Sequence, residues 1–297
     1  METMKIIENM SESSKAEKRI VFATHVFEHD YDIVLKPARV RMILESLNSP
    51  FSSTFIFLNN FKTDRAKKNA LSMAKVLVNE GLISHYLDVH EVLTPEALNQ
   101  FGLDFDLYWK GNPYYSAAQL GAITCARREA AAYVLHMTGD VHLTHRAPKS
   151  ITKSFTELFD AIPSVVGINL CRNIYVDQFP KWADEEHEKW WLSNRPTGFS
   201  ISDWCYCIRT AEPFRFAAPH EPCFQEWTAR MPQHALGSFE MLLTIYQEQS
   251  GLKSACLRPS ADVPTIRHRN FAKGKLKRQL YWWLGHYRAN GRFGTRY

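Results

Sequence analysis

An apolar segment in the middle of the chain, Tyr133-Val-Leu-His-Met-Thr-Gly-Asp140, ends in a carboxylate. A strand that delivers a carboxylate to the carboxyl edge of a sheet can hold a divalent metal ion or orient a ribose, because Mg²⁺ and Mn²⁺ prefer oxygen ligands. The alternative is that Asp140 only opens the turn that follows Gly139. The local sequence leaves both interpretations open, so the surrounding elements must decide what this carboxylate does.

Short runs of β-branched and aromatic residues predict strands in the first half of the chain, and amphipathic segments between them predict helices. The predicted strands are Arg19–Phe27, Thr54–Leu58, Leu82–Val89 and Ala132–Met137, and the predicted helices are Pro37–Leu47, residues 63–80 and Tyr115–Arg128. Gly81 stands where the cap of the second helix is expected. Because strands and helices alternate with lengths that suit right-handed crossovers, we expect an α/β layer around a mostly parallel sheet.

Polar side chains follow several of these strands. In open α/β sheets, ligands bind beyond the carboxyl ends of the strands. This rule places His25, Glu28, Asn59, Asn60 and Asp140 on one rim of the predicted sheet.

The second half of the chain is less regular. Val165–Leu170 and Ser200–Ile208 are predicted strands, and Ala183–Leu192 and Phe239–Gln249 are predicted helices. The Trp-rich and loop-rich segments between them favour a half that shapes a substrate site over an independent domain. Cys205 and Cys207 share one face of a predicted strand; we expect core packing there, since a zinc site needs a second pair of ligands.

Three segments, in this order, resemble the family-2-type GT-A glycosyltransferases. Phe57-Leu-Asn-Asn-Phe-Lys-Thr-Asp-Arg65 is similar to a family segment that has three acidic positions. In this chain, Asn59 and Asn60 occupy the first two of these positions and Asp64 matches the third. Gly111-Asn-Pro-Tyr-Tyr-Ser-Ala-Ala-Gln-Leu-Gly-Ala-Ile123 resembles the start of a family helix, with Gln119 at the usual Asn. Thr138-Gly-Asp140 resembles the family's metal motif and keeps its last acid. The resemblance covers roughly residues 19–145.

The resemblance implies a fold and an activity. The fold is a GT-A-like, Rossmann-type nucleotide-binding sheet flanked by helices, with an irregular acceptor-binding second half. The activity is transfer of a sugar from a nucleotide-sugar donor to a hydroxyl of a glycan or lipid-linked acceptor, by a hexosyltransferase of the inverting kind. Surface polysaccharide biosynthesis is the implied role. Mg²⁺ or Mn²⁺, or basic groups, would neutralise the leaving diphosphate.

The resemblance also assigns residues to the donor. Asp140 is the implied metal ligand and ribose-side anchor, and His25, Asn59, Asn60 and Asp64 are the implied nucleoside-binding residues. The two Asn side chains keep hydrogen bonding to a nucleobase but remove charge. Since Gly139 leaves one carboxylate where the family commonly has two, metal binding is expected to be weaker or to need another ligand.

In the family, the catalytic base is the carboxylate of an acidic residue at the start of a helix in the second half of the chain. Glu240 opens the predicted helix Phe239–Gln249 and is the best match; Asp203 is the substitute. A base at this point would take the proton of the acceptor hydroxyl. The alternative for Glu240 is a capping box at the helix start. Trp190, Trp191 and Trp204 are candidates for stacking on sugar rings, with core packing as the alternative.

Ile266-Arg-His-Arg269 resembles a basic segment that reaches the diphosphate near the end of the family's catalytic core. Arg267 and Arg269 would bind phosphate, and His268 would supply a second metal ligand that compensates for Gly139. A solvated basic turn is the alternative interpretation.

The C-terminus is strongly basic. Residues 267–297 contain nine Lys or Arg and no Asp or Glu, whereas the rest of the chain carries 27 bases and 31 acids. Leu276, Leu280, Trp283, Leu284 and Tyr287 form one apolar helical stripe, typical of a basic amphipathic helix on an anionic membrane surface. A helix packed on the body is the alternative. We therefore divide the chain into a polar leader (1–18), one catalytic domain (19–270, with halves 19–145 and 146–270) and this helix (271–297).

Composition excludes several classes of protein. The chain has 297 residues, of which 45% are hydrophobic and 13% aromatic, which rules out disorder and low-complexity scaffolds. The sequence has no apolar stretch of 18 residues, no secretory signal and no C-x-x-C pair, so we expect a cytoplasmic protein. Any contact with a membrane is expected to be peripheral. The rival function is a non-catalytic nucleotide- or nucleic-acid-binding α/β protein with a basic arm, but no nucleic-acid-binding motif is found and no nucleic-acid partner is expected.

Overall fold

The computed structural model describes residues 19–111, 113–114, 116–171, 183–193, 204–218, 220–230 and 238–268. Its strands are β1 (Ile20–Phe27), β2 (Ser53–Asn59), β3 (His85–Asp88), β4 (Tyr133–Thr138), β5 (Val141–Leu143), β6 (Val165–Leu170), β7 (Glu185–Glu186), β8 (Trp190–Ser193), β9 (Cys205–Arg209), β10 (Lys253–Leu257) and β11 (Ile266–His268). Its helices are α1 (Tyr31–Val34), α2 (Pro37–Leu47), α3 (Asp64–Asn79), α4 (Val89–Val92), α5 (Pro95–Asn99), α6 (Phe105–Lys110), α7 (Ala117–Arg128), α8 (Ile151–Ala161), α9 (Pro222–Arg230) and α10 (Phe239–Ser250).

Nine strands form one sheet in the order β3-β2-β1-β4-β9-β6-β10-β8-β7. Strands β3, β2, β1 and β4 are parallel, as are β6 and β10, and β9 runs antiparallel between β4 and β6. Helices connect the parallel strands, as such crossovers require. The predicted α/β, Rossmann-type fold is confirmed, and strands from both halves of the chain share the sheet. A separate two-stranded sheet pairs β5 with β11.

Helices cover both faces of this sheet. On one face, α7 and α10 bury their apolar side chains against Val21, Phe57 and Tyr206. On the other, α2 and α8 pack against Phe22 and Leu135. Strands buried on both faces read as continuous apolar runs, which is why the sequence revealed β1, β2, β4 and β6 almost to the residue.

Local signals set the ends of α3. The Thr63 side chain accepts a hydrogen bond from the N–H of Ala66 at 3.4 Å, and Gly81 follows the helix at φ +67°. The N–H of Leu82 then donates to the carbonyl of Leu77 at 2.9 Å. A left-handed residue at this point lets the chain satisfy the last helix carbonyls, and glycine adopts it without strain. The predicted role of Gly81 is confirmed.

The predicted helix Ala183–Leu192 is wrong. Glu185–Glu186 and Trp190–Ser193 are strands that pair with each other, and Trp191 lies opposite Cys256 of β10. Leu192 is buried in the core that contains α8, whereas Trp191 packs with Cys256 in a separate cluster. The segment therefore alternates with the period of a strand, and the free edge of β10 decides its conformation.

The other predicted boundaries differ from the structure by only a few residues. The strand predicted as Leu82–Val89 begins only at His85, and Val89 opens α4 because the Asp88 side chain accepts a hydrogen bond from the N–H of His90 at 2.9 Å. The described part of the predicted strand Ser200–Ile208 is Cys205–Arg209. Cys205 and Cys207 are fully buried there with free thiols, so core packing is confirmed.

Two predicted segments lie outside the described residues. These are the leader, residues 1–18, and the basic helix, residues 271–297. Within the described part of the chain, no helix has the length and apolar character needed to cross a bilayer.

Candidate functional site

Asp140 lies in the turn that joins β4 to β5 at the carboxyl edge of the parallel strands. Arg39 of α2, only 1% exposed, supports this turn. Its Nε donates to the carbonyl of Gly139 at 3.1 Å, and its Nη2 donates to that carbonyl and, at 3.1 Å, to the carbonyl of Val141. The turn that presents Asp140 is therefore fixed by a buried guanidinium.

The same guanidinium supplies positive charge close to Asp140. Burial lowers the pKa of Arg39 to about 10, and the nearby charges of Asp140 and Asp30 oppose this shift. Arg39 is thus charged at neutral pH. A buried charge is tolerated only where hydrogen bonds and opposite charges compensate for lost hydration, and both are present here.

Two buried histidines lie beside the turn on neighbouring strands. His25 Nδ1 and His136 Nε2 are 3.2 Å apart, and the two rings stack with centroids 5.2 Å apart. Burial lowers the pKa of His25 to about 4, opposed by the charge of Asp140, and burial followed by repulsion from His25 lowers the pKa of His136 well below its usual value. Both rings are therefore neutral at pH 7, so one ring donates a hydrogen bond to the other.

Gly139 has no room for a side chain. A Cβ built there would lie 2.6 Å from Cγ1 of Val34 and 2.7 Å from the carbonyl oxygen of His25. Steric overlap with Val34 of α1 and with the backbone of His25 in β1 thus keeps a second carboxylate out of this position; a left-handed backbone is not the reason. The single acid in Thr138-Gly-Asp140 is a consequence of packing.

The first of the two asparagines at the end of β2 holds a loop. Asn59 is fully buried, and its Nδ2 donates to the carbonyl of Tyr114 at 2.8 Å. Its Oδ1, like Oε1 of the buried Gln119, has no hydrogen-bond partner among the described residues. Asn60 is half-buried and has φ +54°, a conformation that asparagine tolerates better than most residues.

Glu28 holds the start of α3 close to the end of β1. Its carboxylate accepts hydrogen bonds from the N–H groups of Lys62 and Thr63 and from the hydroxyl of Thr63. These bonds, that of Lys62 first, lower the pKa of Glu28. Asp64, exposed in the first turn of α3, therefore lies on the same rim as the polar groups that follow β1 and β2.

The small sheet brings a distant segment to Asp140. In the β5–β11 pair, Arg267 lies opposite His142 and His268 lies opposite Val141, the residue after Asp140. The tertiary structure thus places the backbone of the basic segment next to the candidate metal ligand across more than 120 residues of sequence. Arg269, the His268 side chain and Asp203 lie outside the described residues.

Glu240 occupies the first turn of α10 and is half-buried. Ser238 caps this helix by accepting a hydrogen bond from the N–H of Met241 at 3.3 Å. A capping box needs the acid at the position that Met241 occupies, so Glu240 does not complete one. The ring of Phe239 stacks on Tyr206, which stacks on His136, so the start of α10 lies over the same sheet face as the histidines.

The three tryptophans have different surroundings. Trp191 is 7% exposed, and the guanidinium of Arg258 lies 4.9 Å from its ring centroid. Trp191 is therefore a core residue that cannot stack on a sugar. Trp190 and Trp204 are half-buried and pack at the border of the core that contains α8.

The donor set at the rim fits a metal ion only in part. No group of three His, Cys, Asp or Glu side chains that could hold one occurs in the described part of the chain. Mg²⁺ is commonly held by one or two carboxylates together with substrate phosphates. Asp140 fits that arrangement and does not form a complete protein cage.

Sequence reasoning missed Arg39 and His136. Arg39 shares the buried face of α2 with Val40, Met42 and Ile43. A charged residue among the apolar positions of a helix is the signal that could have identified it. His136 interrupts an apolar strand in the same way.

Comparisons with known proteins identify similar folds only. No protein-family model matches the sequence, and no curated protein matches it. Among solved structures, a UDP-glucose pyrophosphorylase complexed with UDP-glucose is 10% identical, with 91% of this chain and 98% of that chain covered and a TM-score of 0.43. The galactosyltransferase LgtC in complex with donor and acceptor sugar analogs is 10% identical, with coverage of 76% and 70% and a TM-score of 0.36.

A third structure is glucosyl-3-phosphoglycerate synthase from Mycobacterium tuberculosis with Mg²⁺ and uridine diphosphate. It is 8% identical, with 68% of this chain and 60% of that chain covered and a TM-score of 0.35. The divergent GT-A fold implied by the three motifs is the type of fold that these structures have. Likeness at this level carries no argument about activity.

Proposed function

We propose that this chain is a glycosyltransferase that moves a sugar from a nucleotide-sugar to a hydroxyl of a glycan or lipid-linked acceptor. The observation that carries the proposal is the Asp140 turn, which Arg39 fixes at the carboxyl edge of β4 beside the neutral His25. A carboxylate on a turn held in this way, at an edge where polar residues also follow β1 and end β2, suits the ribose or the metal ion of a bound nucleoside diphosphate.

The donor would lie across the carboxyl ends of β1, β2 and β4. Asn60 and Asp64 would contact the nucleoside. The buried Asn59 would act through the loop that its Nδ2 holds at Tyr114, and the buried His25 would support the rim through its contact with His136. Arg267 and Arg269 would bind the diphosphate, since a guanidinium can bind two phosphate oxygens at once. The pairing of β11 with β5 supports this role for Arg267.

Asp140, with His268 as a second candidate, would hold Mg²⁺ or Mn²⁺ together with the donor phosphates. A bound divalent cation neutralises the negative charge that develops on the leaving diphosphate. The Arg39 guanidinium holds the backbone of the turn that presents Asp140.

Glu240 would act as the general base, with Asp203 as the substitute. As the acceptor oxygen bonds to the anomeric carbon and the bond to phosphate breaks, the carboxylate takes the hydroxyl proton. Direct displacement of this kind inverts the anomeric configuration. The half-buried position of Glu240 on the sheet face of the histidines supports the assignment.

We place this reaction at the cytoplasmic side of a membrane, in the assembly of a surface polysaccharide. The basic segment 271–297 supports this location, since such a segment would bring the enzyme to an acceptor carried by a membrane lipid.

The test is nucleotide binding by an Asp140 variant. Asp140→Asn keeps the size of the side chain and removes its charge, so we expect binding of uridine diphosphate with Mn²⁺ to weaken at least tenfold while the fold is retained. The matched control is Asp262→Asn, which should bind normally; Asp262 pairs with Lys149 and its side chain is 47% exposed. Calorimetric titration with and without Mn²⁺ measures both.

Two results would count against the proposal. Unchanged metal-dependent binding in Asp140→Asn would reject the role of Asp140. Salt-steep binding of oligonucleotides with no binding of nucleoside diphosphates would instead favour the nucleic-acid-binding rival.

A further inference from the structure

A cavity of about 230 Å³ has a lining that includes none of the rim residues His25, Glu28, Asn59, Asn60 and Asp140. It is bordered by α6 and the residues just before it, by the loop that precedes α7, and by the starts of α9 and α10. Its apolar lining includes Leu103, Ala217, Phe224 and Leu242, all of them buried. A cavity of about 150 Å³ with such a lining is large enough for a benzene ring, so this one is large enough for a chain of several carbons.

The polar side chains that line the cavity have their hydrogen bonds elsewhere. Asp104 accepts a hydrogen bond from the N–H of Leu107 at 2.9 Å and caps α6. The hydroxyl of Tyr108 bonds with the hydroxyl of Ser116 at 2.9 Å. His220 is the one remaining polar side chain in the described lining. A sugar ring would therefore find few partners, whereas an apolar group loses nothing by entering.

An exposed leucine adds to the lining. Leu107 is 53% exposed, and Val76 on α3, 46% exposed, is the other large hydrophobic side chain exposed among the described residues. Val76 does not line the cavity. Leu107 thus offers apolar surface where a ligand would enter.

We propose that this cavity binds the hydrocarbon or aromatic group of a small molecule. The assignment of this group to the acceptor rests on the proposed function. Leu242 lines the cavity, and Glu240 precedes it by two residues in the first turn of α10. An acceptor held by its apolar group would have its polar end at the first turn of this helix, from which the Glu240 side chain leaves in a different direction from that of Leu242.

The experiment measures calorimetric binding of methyl, butyl and hexyl β-D-glucopyranoside to the full-length protein. Each methylene that enters the cavity should tighten binding about fourfold until the cavity is filled. The heat capacity change should become more negative along the series, because apolar burial has that signature. Equal affinity for the methyl and hexyl compounds, or no binding of either, would overturn the proposal.

Two variants locate the binding. Ala218→Phe places a ring in the cavity and should weaken hexyl glucoside binding at least tenfold, and Leu107→Asn should weaken it several-fold. Val76→Asn removes a similarly exposed hydrophobic side chain that does not line the cavity and should have no effect. If Ala218→Phe does not fold, the comparison of Leu107→Asn with Val76→Asn tests the proposal. Equal affinity of these two variants for hexyl glucoside would reject this cavity as the binding site.

Binding of uridine diphosphate with Mn²⁺, measured on the same samples, separates the two proposals. Hexyl glucoside binding without nucleotide binding would leave the cavity assigned and the glycosyltransferase proposal rejected. Nucleotide binding together with a glucoside affinity that does not depend on alkyl length would support the glycosyltransferase proposal and reject the cavity proposal.

Discussion

Arg39 shows how a single buried charge can determine the geometry of a functional turn. Its guanidinium binds the carbonyl oxygens on both sides of Asp140, and the charge of Asp140 lies close to it. Removing the guanidinium would leave these buried carbonyl oxygens without their hydrogen-bond donor, which costs about 1–3 kcal/mol for each group left unsatisfied. Arg39 is therefore a positioning residue for Asp140.

Gly139 provides a direct test of that turn. Gly139→Ala should lower the free energy of unfolding by about 1–3 kcal/mol, because its Cβ would overlap Val34 and the carbonyl of His25. Gly139→Asp should be worse and should not improve metal binding. Urea unfolding measures the change, and Gly111→Ala is the control, since a Cβ there would lie 3.4 Å from its nearest neighbour. Equal stability of Gly139→Ala and the wild type would contradict the packing at this turn.

The His25–His136 pair makes stability depend on pH. The folded pKa of His25, about 4, lies below its ordinary value of about 6.5, so the unfolded chain binds a proton in this window that the folded chain does not. The free energy of unfolding should therefore fall as the pH drops from about 6.5 to 4, by about 3 kcal/mol for His25 alone.

Urea unfolding at pH 7, 6 and 5 measures this fall. His25→Gln should show a shallower dependence than the wild type, whereas the exposed His187→Gln should keep the full dependence. Identical dependence in His25→Gln and the wild type would mean that His25 is not a buried neutral group.

At the scale of elements, α10 connects the proposed base with the sheet. Its first turn carries Glu240, is capped by Ser238, and packs through Phe239 on Tyr206 of β9. Strand β9, which runs antiparallel between β4 and β6, thus joins the part of the sheet that would bind the donor to the helix that would act on the acceptor.

Glu240→Gln tests that helix. A general base is needed only at the transition state, so turnover should fall about 10²–10⁴-fold while donor binding is unchanged. Glu248→Gln, at the other end of the same helix, is the control. Transfer by Glu240→Gln at a near wild-type rate would place the base elsewhere, and Asp203→Asn would be examined next.

At the scale of the whole molecule, charge is distributed unevenly. The last 31 residues carry nine bases and no acid, whereas the rest of the chain has a small excess of acids. This separation predicts a protein whose body repels an anionic surface weakly while its C-terminal segment is attracted to it, by about 1 kcal/mol for each basic residue near the surface.

Co-sedimentation with vesicles measures this attraction. The full-length protein should pellet with phosphatidylglycerol-containing vesicles at low salt, progressively less as salt rises, and not with pure phosphatidylcholine vesicles. A chain that ends after Phe271 keeps β11 and should remain in the supernatant. A full-length protein that stays in the supernatant at low salt would indicate that the segment packs on the body.

The sequence alone determined the α/β layer and the rim. Buried strands such as β1 and β6 are continuous apolar runs, and Thr63 and Gly81 mark the ends of α3, so local physics was enough to find these elements. The polar residues after β1, β2 and β4 followed from the rule that parallel strands end at one edge. The catalytic and binding roles of those residues remain predictions.

Only the tertiary structure decided the remaining features, because each depends on contacts between distant residues. The segment 185–193 became a β-hairpin because β10 offered a free edge. Arg39 reached the Asp140 turn from another element, across about 100 residues of sequence. Packing against Val34 excluded a side chain at Gly139, and pairing with β5 brought Arg267 and His268 next to Asp140. Sequence periodicity reports which face of an element is buried, but it does not report what lies against that face.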